Sequence, residues 1–502
     1  MSTGDVGSSN FADVTLNTQL DHPRPAQKRA TADSVKRGQH IKSEDNTDPG
    51  PIITSPTSPR FTLGRAATVM LQPPRPVGRA PGFSGSLLAV VKSSWFNLML
   101  AFIPVSWALH FALPSSYHNK DTLVFVFSFL AIIPLAKLLA FATDEISKRV
   151  GQTLAGLINA TLGNAVELIV AIIALTKCEL RIVQSSLVGS ILSNLLLVLG
   201  MCFFAGGLKF SEQGFGLSAT QLNSSLLTIS VIAVLLPAAF HFFVAGDGSI
   251  ERNDILRVSH GVAIILLFIY CAYLVFQLYS HTVLYEDKSS DIFRSTKYDL
   301  KKKKKEKVAD DIIGSSDGHT ASHDEEKGNE ATSDTEDEEK PEMHFSAALV
   351  LLAVITVLVA VTAEWLVDSI SGLTNSGKIS TEFVGVILLP IVGNAAEHVT
   401  AVTVSVKDKL NLSLAVAVGS SIQISLFVIP FIVVLGWILG KPMSFLFDPY
   451  ESIALFLSVL TVNYVVQDGK SNWLEGMILM CLYVILAVTF WFYPGATPEF
   501  SC

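Results

Sequence analysis

From Trp95 to Tyr493 the chain is dominated by apolar runs about as long as a bilayer is thick, and this limits what it can fold into. A helix needs about 20 mostly apolar residues to cross a ~30 Å hydrocarbon core. Inside lipid every backbone N–H and C=O must find a partner within the protein, which leaves helices or closed barrels. The runs are continuous and not alternating, so the sequence predicts an all-α integral membrane protein. We place about eleven transmembrane segments, near 95–114, 121–142, 150–176, 184–207, 217–244, 254–280, 344–370, 380–406, 412–438, 449–467 and 472–493. Composition agrees. Only 16% of the 502 residues are charged, against about 25% in a soluble domain.

Residues 1–90 are rich in Ser, Thr, Pro, Gly and charge, and are expected to be a disordered tail. Their excess of arginine and lysine, from Arg24 to Arg79, places the N-terminus in the cytosol. No cleavable signal peptide is visible, because the first apolar stretch begins only near Trp95. The Ser55-Pro56 and Ser58-Pro59 pairs are candidate phosphorylation sites or plain tail. A polar insert over 281–343 carries a lysine run, Lys301–Lys305, then acidic residues including Asp324–Glu326 and Glu336–Glu339. It is expected on the cytosolic face, as a calcium-collecting surface or a solubilising linker. The five cysteines have no CxxC spacing and are read as ordinary bilayer residues, neither a disulfide framework nor a zinc site.

Two stretches break the apolar pattern: Gly163-Asn164-Ala165-Val166-Glu167 and Gly393-Asn394-Ala395-Ala396-Glu397. A carboxylate at a bilayer centre costs at least ~2.5–3.5 kcal/mol, which marks it as functional by default. The two motifs lie 230 residues apart, and the same offset pairs Gly189-Ser190 with Gly419-Ser420, one span later. It also pairs Ala171 with Ala401, Lys177 with Lys407 and Val198 with Val428. One ungapped register over two spans is a duplication. The matched spans are the third and the eighth, so the copies run in opposite directions, and inverted repeats place a substrate site near the midplane. The expected organisation is therefore a tail (1–90), a first span outside the repeat (91–120), repeat 1 (121–280), the insert (281–343) and repeat 2 (344–495).

Within each motif, Asn164 and Glu167, or Asn394 and Glu397, share a helix face. Gly163 and Gly393 loosen the helix or admit a close neighbour, and Pro390 is expected to kink the chain before the second motif. The next span of each repeat adds Ser190 and Ser193, or Ser420, Ser421 and Gln423, beside the motif glycines Gly189 and Gly419. Such a set offers only oxygen ligands, which favours hard cations, with Glu167 and Glu397 as the metal-binding carboxylates. Two glutamates with one divalent cation are neutral, and so are two protonated glutamates. The empty, doubly ionised site is the costly state. This charge balance implies obligatory exchange of a divalent cation for protons. Two protons per calcium would sustain a ~100-fold calcium ratio per pH unit.

The stretches GNAVELIVAIIAL, GSILSNLLLVLG, GNAAEHVTAVTVSVKDK and GSSIQISLF resemble the paired repeats of the calcium/cation antiporter superfamily, most closely the cation/proton exchanger branch that includes fungal vacuolar calcium/proton exchangers. The resemblance covers about 90–495. It implies that Glu167 and Glu397 bind cation and protons alternately, with Asn164, Asn394, Ser190, Ser193, Ser420 and Gln423 lining the same site. It further implies a vacuolar or other acidic-organelle membrane, with Ca²⁺, and in some members Mn²⁺, as cargo. A sodium-coupled exchanger is the near alternative, although Gly419–Gln423 lacks the carboxylate such exchangers often carry there. A cation channel is the more distant one.

Blander roles are also open. The asparagines could only tie helices together, the glycines could only pack, and His398 is a neighbour of the site or a proton handler. Gly372–Lys378, GLTNSGK, looks like a phosphate-binding loop but continues with Ile379 in place of Ser or Thr. It is rejected, so transport is expected to be secondary, with no cofactor and no catalytic residues. The partners expected are lipid, Ca²⁺ and H⁺, and no nucleic acid; a homo-oligomer is left open.

Overall fold

The computed structural model describes residues 78, 80–114, 116–117, 119–244, 248–285, 292–298, 341–375 and 379–495. Nearly all of the expected tail, the lysine run and acidic tract of the insert, and Ser376–Lys378 lie outside them. In chain order the helices begin with α1 (Phe83–Lys92), α2 (Trp95–Ala112), α3 (Lys120–Ser147), α4 (Gln152–Leu162), α5 (Ala165–Thr176) and α6 (Leu180–Gly207). Strand β1 (Phe210–Gly214) precedes α7 (Leu217–His241) and α8 (Arg252–Ser280), and β2 (Thr296–Lys297) follows them. The second half holds α9 (Phe345–Thr374), α10 (Thr381–Gly393), α11 (Ala395–Val406), α12 (Leu410–Ile438), α13 (Pro449–Val465), β3 (Lys470–Ser471) and α14 (Trp473–Phe492).

Eight of these helices are long and apolar enough to cross a membrane, and the bent pair α10–α11 makes up to nine among the described residues. The expected count of eleven is not reached by this measure. The expected third segment is split at Gly163-Asn164 into helices of 11 and 12 residues, and α13 has 17 residues. The motifs themselves cause the breaks, because Asn164 and Asn394 sit between helices and not within them. Pro390 does not kink the chain where expected. It follows a π-helical turn, Val384–Leu388, within α10, and the 59° bend falls at Asn394. The proline lacks an N–H, so it fits the switch of hydrogen-bond pattern that ends the π turn.

The core is interleaved from both halves of the chain. Helices α3 and α9 pack along each other, the first part of α6 packs against α10, and the last part of α6 packs against α11 and α14. Helix α6 carries the most enclosed apolar stretch, with Val183, Leu187, Val188, Ile191, Leu192, Leu195 and Leu196 all buried. Similar π-helical turns interrupt α6 at Ser193–Val198 and α12 at Ile424–Val428, nearly the 230-residue offset apart.

Two features depart from the all-α expectation and from a featureless insert. A three-stranded sheet of order β2-β1-β3 pairs Phe210 with Lys297 and Gln213 with Ser471, both antiparallel. Strands of two residues carry no alternation that a sequence pattern can reveal. The far end of the insert is also anchored. The fully buried Glu145 on α3 accepts the N–H groups of Glu342 (3.1 Å) and Met343 (3.0 Å) and pairs with Lys148 and Arg149. Burial disfavours the Lys148 ammonium, but its hydrogen bonds to Glu145 and Asp144 outweigh that and raise its pKa well above the ordinary lysine value. Helix α1 falls within the last residues of the expected tail, with Ser86 accepting the N–H of His344. Cys178 is disulfide-bonded, against the sequence reading, while Cys202, Cys271 and Cys481 are free.

Candidate functional site

Asn164 and Asn394 precede α5 and α11, which places Glu167 and Glu397 in the first turn of each helix. Neither asparagine caps its own helix with its side chain. Asn164 reaches across to the other half instead. Its Nδ2 donates to Gln423 Oε1 at 2.7 Å, and its Oδ1 accepts from Ser420 Oγ at 2.7 Å. Asn194 Nδ2 donates to Ser420 Oγ at 3.1 Å, so a polar chain links α6, α12 and the break before α5.

Glu167 is 9% exposed and lines a small, partly open crevice together with Ser190, Pro390 and Gly393. A Cβ on Gly393 would lie 2.5 Å from Glu167 Oε1, so the glycine makes room for the carboxylate. Glu397 lies within Coulombic reach of Glu167 and beside Ser420. The structure thus brings together Glu167, Glu397, Asn164, Ser190, Ser420 and Gln423, while Asn394 is buried next in the chain to Gly393. Ser193 and His398 meet each other, Oγ to Nε2 at 3.4 Å, one shell away. Ser421 turns its hydroxyl to the Ala417 carbonyl of its own helix. Gly163 closes α4, within 3.9 Å of Gln423 Oε1 for an added Cβ. Gly189 is a packing glycine against Val386 and Pro390, whereas Gly419 has nothing within 4 Å of an added Cβ.

Several oxygens at this centre have no partner: Glu167 Oε1, Glu397 Oε2, Asn194 Oδ1 and Asn394 Oδ1, together with Asn394 Nδ2. Buried unpaired polar atoms of this kind cost roughly 1–3 kcal/mol each, more when charged. Their convergence fits a centre that takes up positive charge, as a cation or as protons. Among the described residues no cluster of three or more His, Cys, Asp or Glu side chains could hold a metal. The acidic complement here is two carboxylates, completed by amide and hydroxyl oxygens. Such a set suits a hard cation that must also be released.

Asn194 escaped the sequence reading because its partner at the 230-residue offset is Ile424, so the repeat gave no signal. The two halves also differ in hydrogen bonding. Asn164 is tied to Ser420, whereas neither polar side-chain atom of Asn394 has a partner. Asn164→Ala should leave Gln423 and Ser420 without their partner and weaken calcium uptake roughly 5- to 150-fold, mostly in KM, by the ~1–3 kcal/mol of an orphaned buried group. Initial uptake rates in proteoliposomes against calcium concentration read this directly.

An apolar helical bundle with two broken helices and a buried, oxygen-only acidic centre defines an ion carrier of the membrane. The chain belongs to the sodium/calcium exchanger protein family, whose profile matches residues 120–279 and 347–492. It is 49% identical to a vacuolar calcium ion transporter of Cryptococcus neoformans var. grubii, over 96% of this chain and 86% of that protein. It is 40% identical to a Ca²⁺/H⁺ antiporter of Synechocystis, over 80% of this chain and 98% of that one. Among solved structures, the Ca²⁺/H⁺ antiporter YfkE matches with a TM-score of 0.58 at 29% identity, covering 79% of this chain and 99% of its own.

Proposed function

We propose that this protein is a secondary antiporter that moves Ca²⁺ from the cytosol into an acidic organelle in exchange for protons. The observation that carries the reading is the pair of buried carboxylates, Glu167 and Glu397, each with an unpaired oxygen at a centre they share. Glu167 and Glu397 bind the cation or protons in alternation. Asn164, Asn394, Ser190, Ser420 and Gln423 complete the oxygen set, with Ser193 and His398 behind them. The names of the relatives, vacuolar calcium transporters and Ca²⁺/H⁺ antiporters, support calcium and protons as the exchanged ions and the vacuole as the location.

Alternating access runs through eleven crossings if α4–α5 and α10–α11 each count as one broken span and α13 as a short one. Five crossings on each side of the insert then form inverted repeats, with α2 outside them. Partners across the chain are consistent with that parity. Lys177 pairs with Glu364 and Asp368 at one membrane face, while Arg149 bonds Met343 at the other. The basic tail supports a cytosolic N-terminus. Mn²⁺ is the second cargo to test.

Sodium coupling is the competing reading, favoured by the family's sodium-exchanging members. Vesicles loaded with acid and diluted into calcium separate the two. Uptake should follow the imposed pH gradient, saturate with calcium and ignore a sodium gradient. Uptake driven by sodium alone would overturn the proposal.

A further inference from the structure

Helix α1 turns a polar side to the protein and its apolar side outward. Ser86 is 1% exposed, and its Oγ accepts the N–H of His344, at 2.9 Å, where α9 begins. Phe83, Leu87 and Val91 form one stripe along the helix and are 75, 62 and 64% exposed, with Leu88 exposed beside them. A helix packed on a water-soluble core has the reverse arrangement. The last turn of α1 is pinned to the start of α2, because Asn97 Nδ2 donates to the carbonyls of Val90 (2.7 Å) and Val91 (3.2 Å). These bonds hold the helix with its stripe facing out.

Position and charge identify what covers this stripe. Val91 is followed shortly by Trp95 and Leu98, both exposed on α2, a helix long and apolar enough to cross a membrane. Tryptophan is common at the headgroup level of a bilayer. The residue bonded to Ser86, His344, adjoins Glu342 and Met343, which bond Glu145 in the last turn of α3. Helix α1 therefore lies where two spans end, at the membrane surface. The sequence has no acidic residue between Asp48 and Asp121, yet Arg60, Arg65, Arg75 and Arg79 precede α1 and Lys92 ends it. A basic residue beside the membrane strengthens binding to an anionic leaflet about fivefold. The acidic tract of the insert, 324–339, has the opposite charge but contains no Val, Ile, Leu, Met or aromatic residue with which to cover an apolar stripe.

We propose that α1 is an in-plane anchor for anionic phospholipid. Phe83, Leu87, Leu88 and Val91 enter the boundary between headgroups and acyl chains, and the basic residues flanking the helix bind the anionic headgroups. Through Ser86 and His344 the anchored helix holds the start of α9 beside the end of α3. The lipid contact stands independently of the exchange reading; only the assignment of this leaflet to the cytosolic side rests on the proposed topology.

Photocrosslinking of the full chain in vesicles tests the contact without any transport assay. Benzoylphenylalanine replaces Leu87, and the vesicles are an equal mixture of phosphatidylcholine and phosphatidylserine. Irradiation should join residue 87 to lipid, with phosphatidylserine adducts exceeding the others roughly threefold or more. Crosslinks to a second copy, or to the chain's own tail or insert, in place of lipid overturn the proposal. Lipid adducts in the ratio of the mixture overturn the preference for anionic headgroups. Leu87→Glu/Val91→Glu charges the exposed stripe and leaves the Ser86 and Asn97 contacts alone, so a folded variant is expected. In the mixed vesicles its 83–92 amides should exchange roughly tenfold faster than those of the native chain. The native amides should in turn exchange faster in phosphatidylcholine alone. Exchange that neither change alters would also overturn the anchor.

Discussion

Glu167→Gln should lower proton-driven calcium uptake by about 1,000-fold or more, and Glu397→Gln should do the same. A unit charge 4 Å from another is worth ~4 kcal/mol even at an effective dielectric of 20, and each 1.4 kcal/mol is a factor of ten. The amide removes that charge while keeping the size of the side chain, and it can no longer carry a proton. Both halves of the cycle fail together. Neither variant should be unstable, because each replaces a carboxylate that has an unpaired oxygen with a neutral group. Thermal unfolding in detergent should therefore give a Tm at or above that of the native chain. A folded Gln variant that still transports within tenfold of native would show that the carboxylate is not the carrier.

The second large effect separates two glycines that lie 230 residues apart, at the same offset as the two Gly-Asn motifs. A Cβ on Gly189 would stand 2.6 Å from Val386 Cα, in backbone that cannot yield as a flexible side chain would. Gly189→Ala should cost roughly 1–3 kcal/mol by overpacking α6 against α10. Gly419→Ala meets open space in this conformation and should fold with an unchanged Tm. If the inverted halves exchange conformations during transport, Gly419 must later approach α4 near Gly156, as Gly189 now approaches Val386. The same ~1–3 kcal/mol then falls on the opposite-facing state alone, and uptake should drop by up to roughly 5- to 150-fold with stability intact. Native uptake by Gly419→Ala would rule out that exchange of conformations.

The polar residues of the centre are legible in the sequence because lipid makes them conspicuous. A glutamate in a soluble helix signals little; Glu167 and Glu397 in apolar runs, in register with Ser190 and Ser420, signal a paired site by their spacing alone. Where each helix breaks is harder to see. Pro390 is the obvious candidate for the kink, yet the bend comes at Asn394, because a π-helical turn absorbs the missing N–H. Asn194 is invisible to the repeat, and the site is less symmetric than its sequence. Glu382 and Glu451 sit near segment ends, where charges usually meet water. Only the packing of α10 and α13 against Arg181 and the C-terminal segment reveals them as buried.

The two halves of the exchange can be counted in one preparation. Proteoliposomes holding a pH-sensitive dye are given calcium outside, and protons leaving the lumen are measured against calcium entering it. Two carboxylates that hold either one divalent cation or two protons require about two protons per calcium, with no net charge moved by the exchange and no dependence on sodium. Calcium entry that proceeds at a fixed internal proton content, or that carries a large current insensitive to pH, would contradict exchange at Glu167 and Glu397.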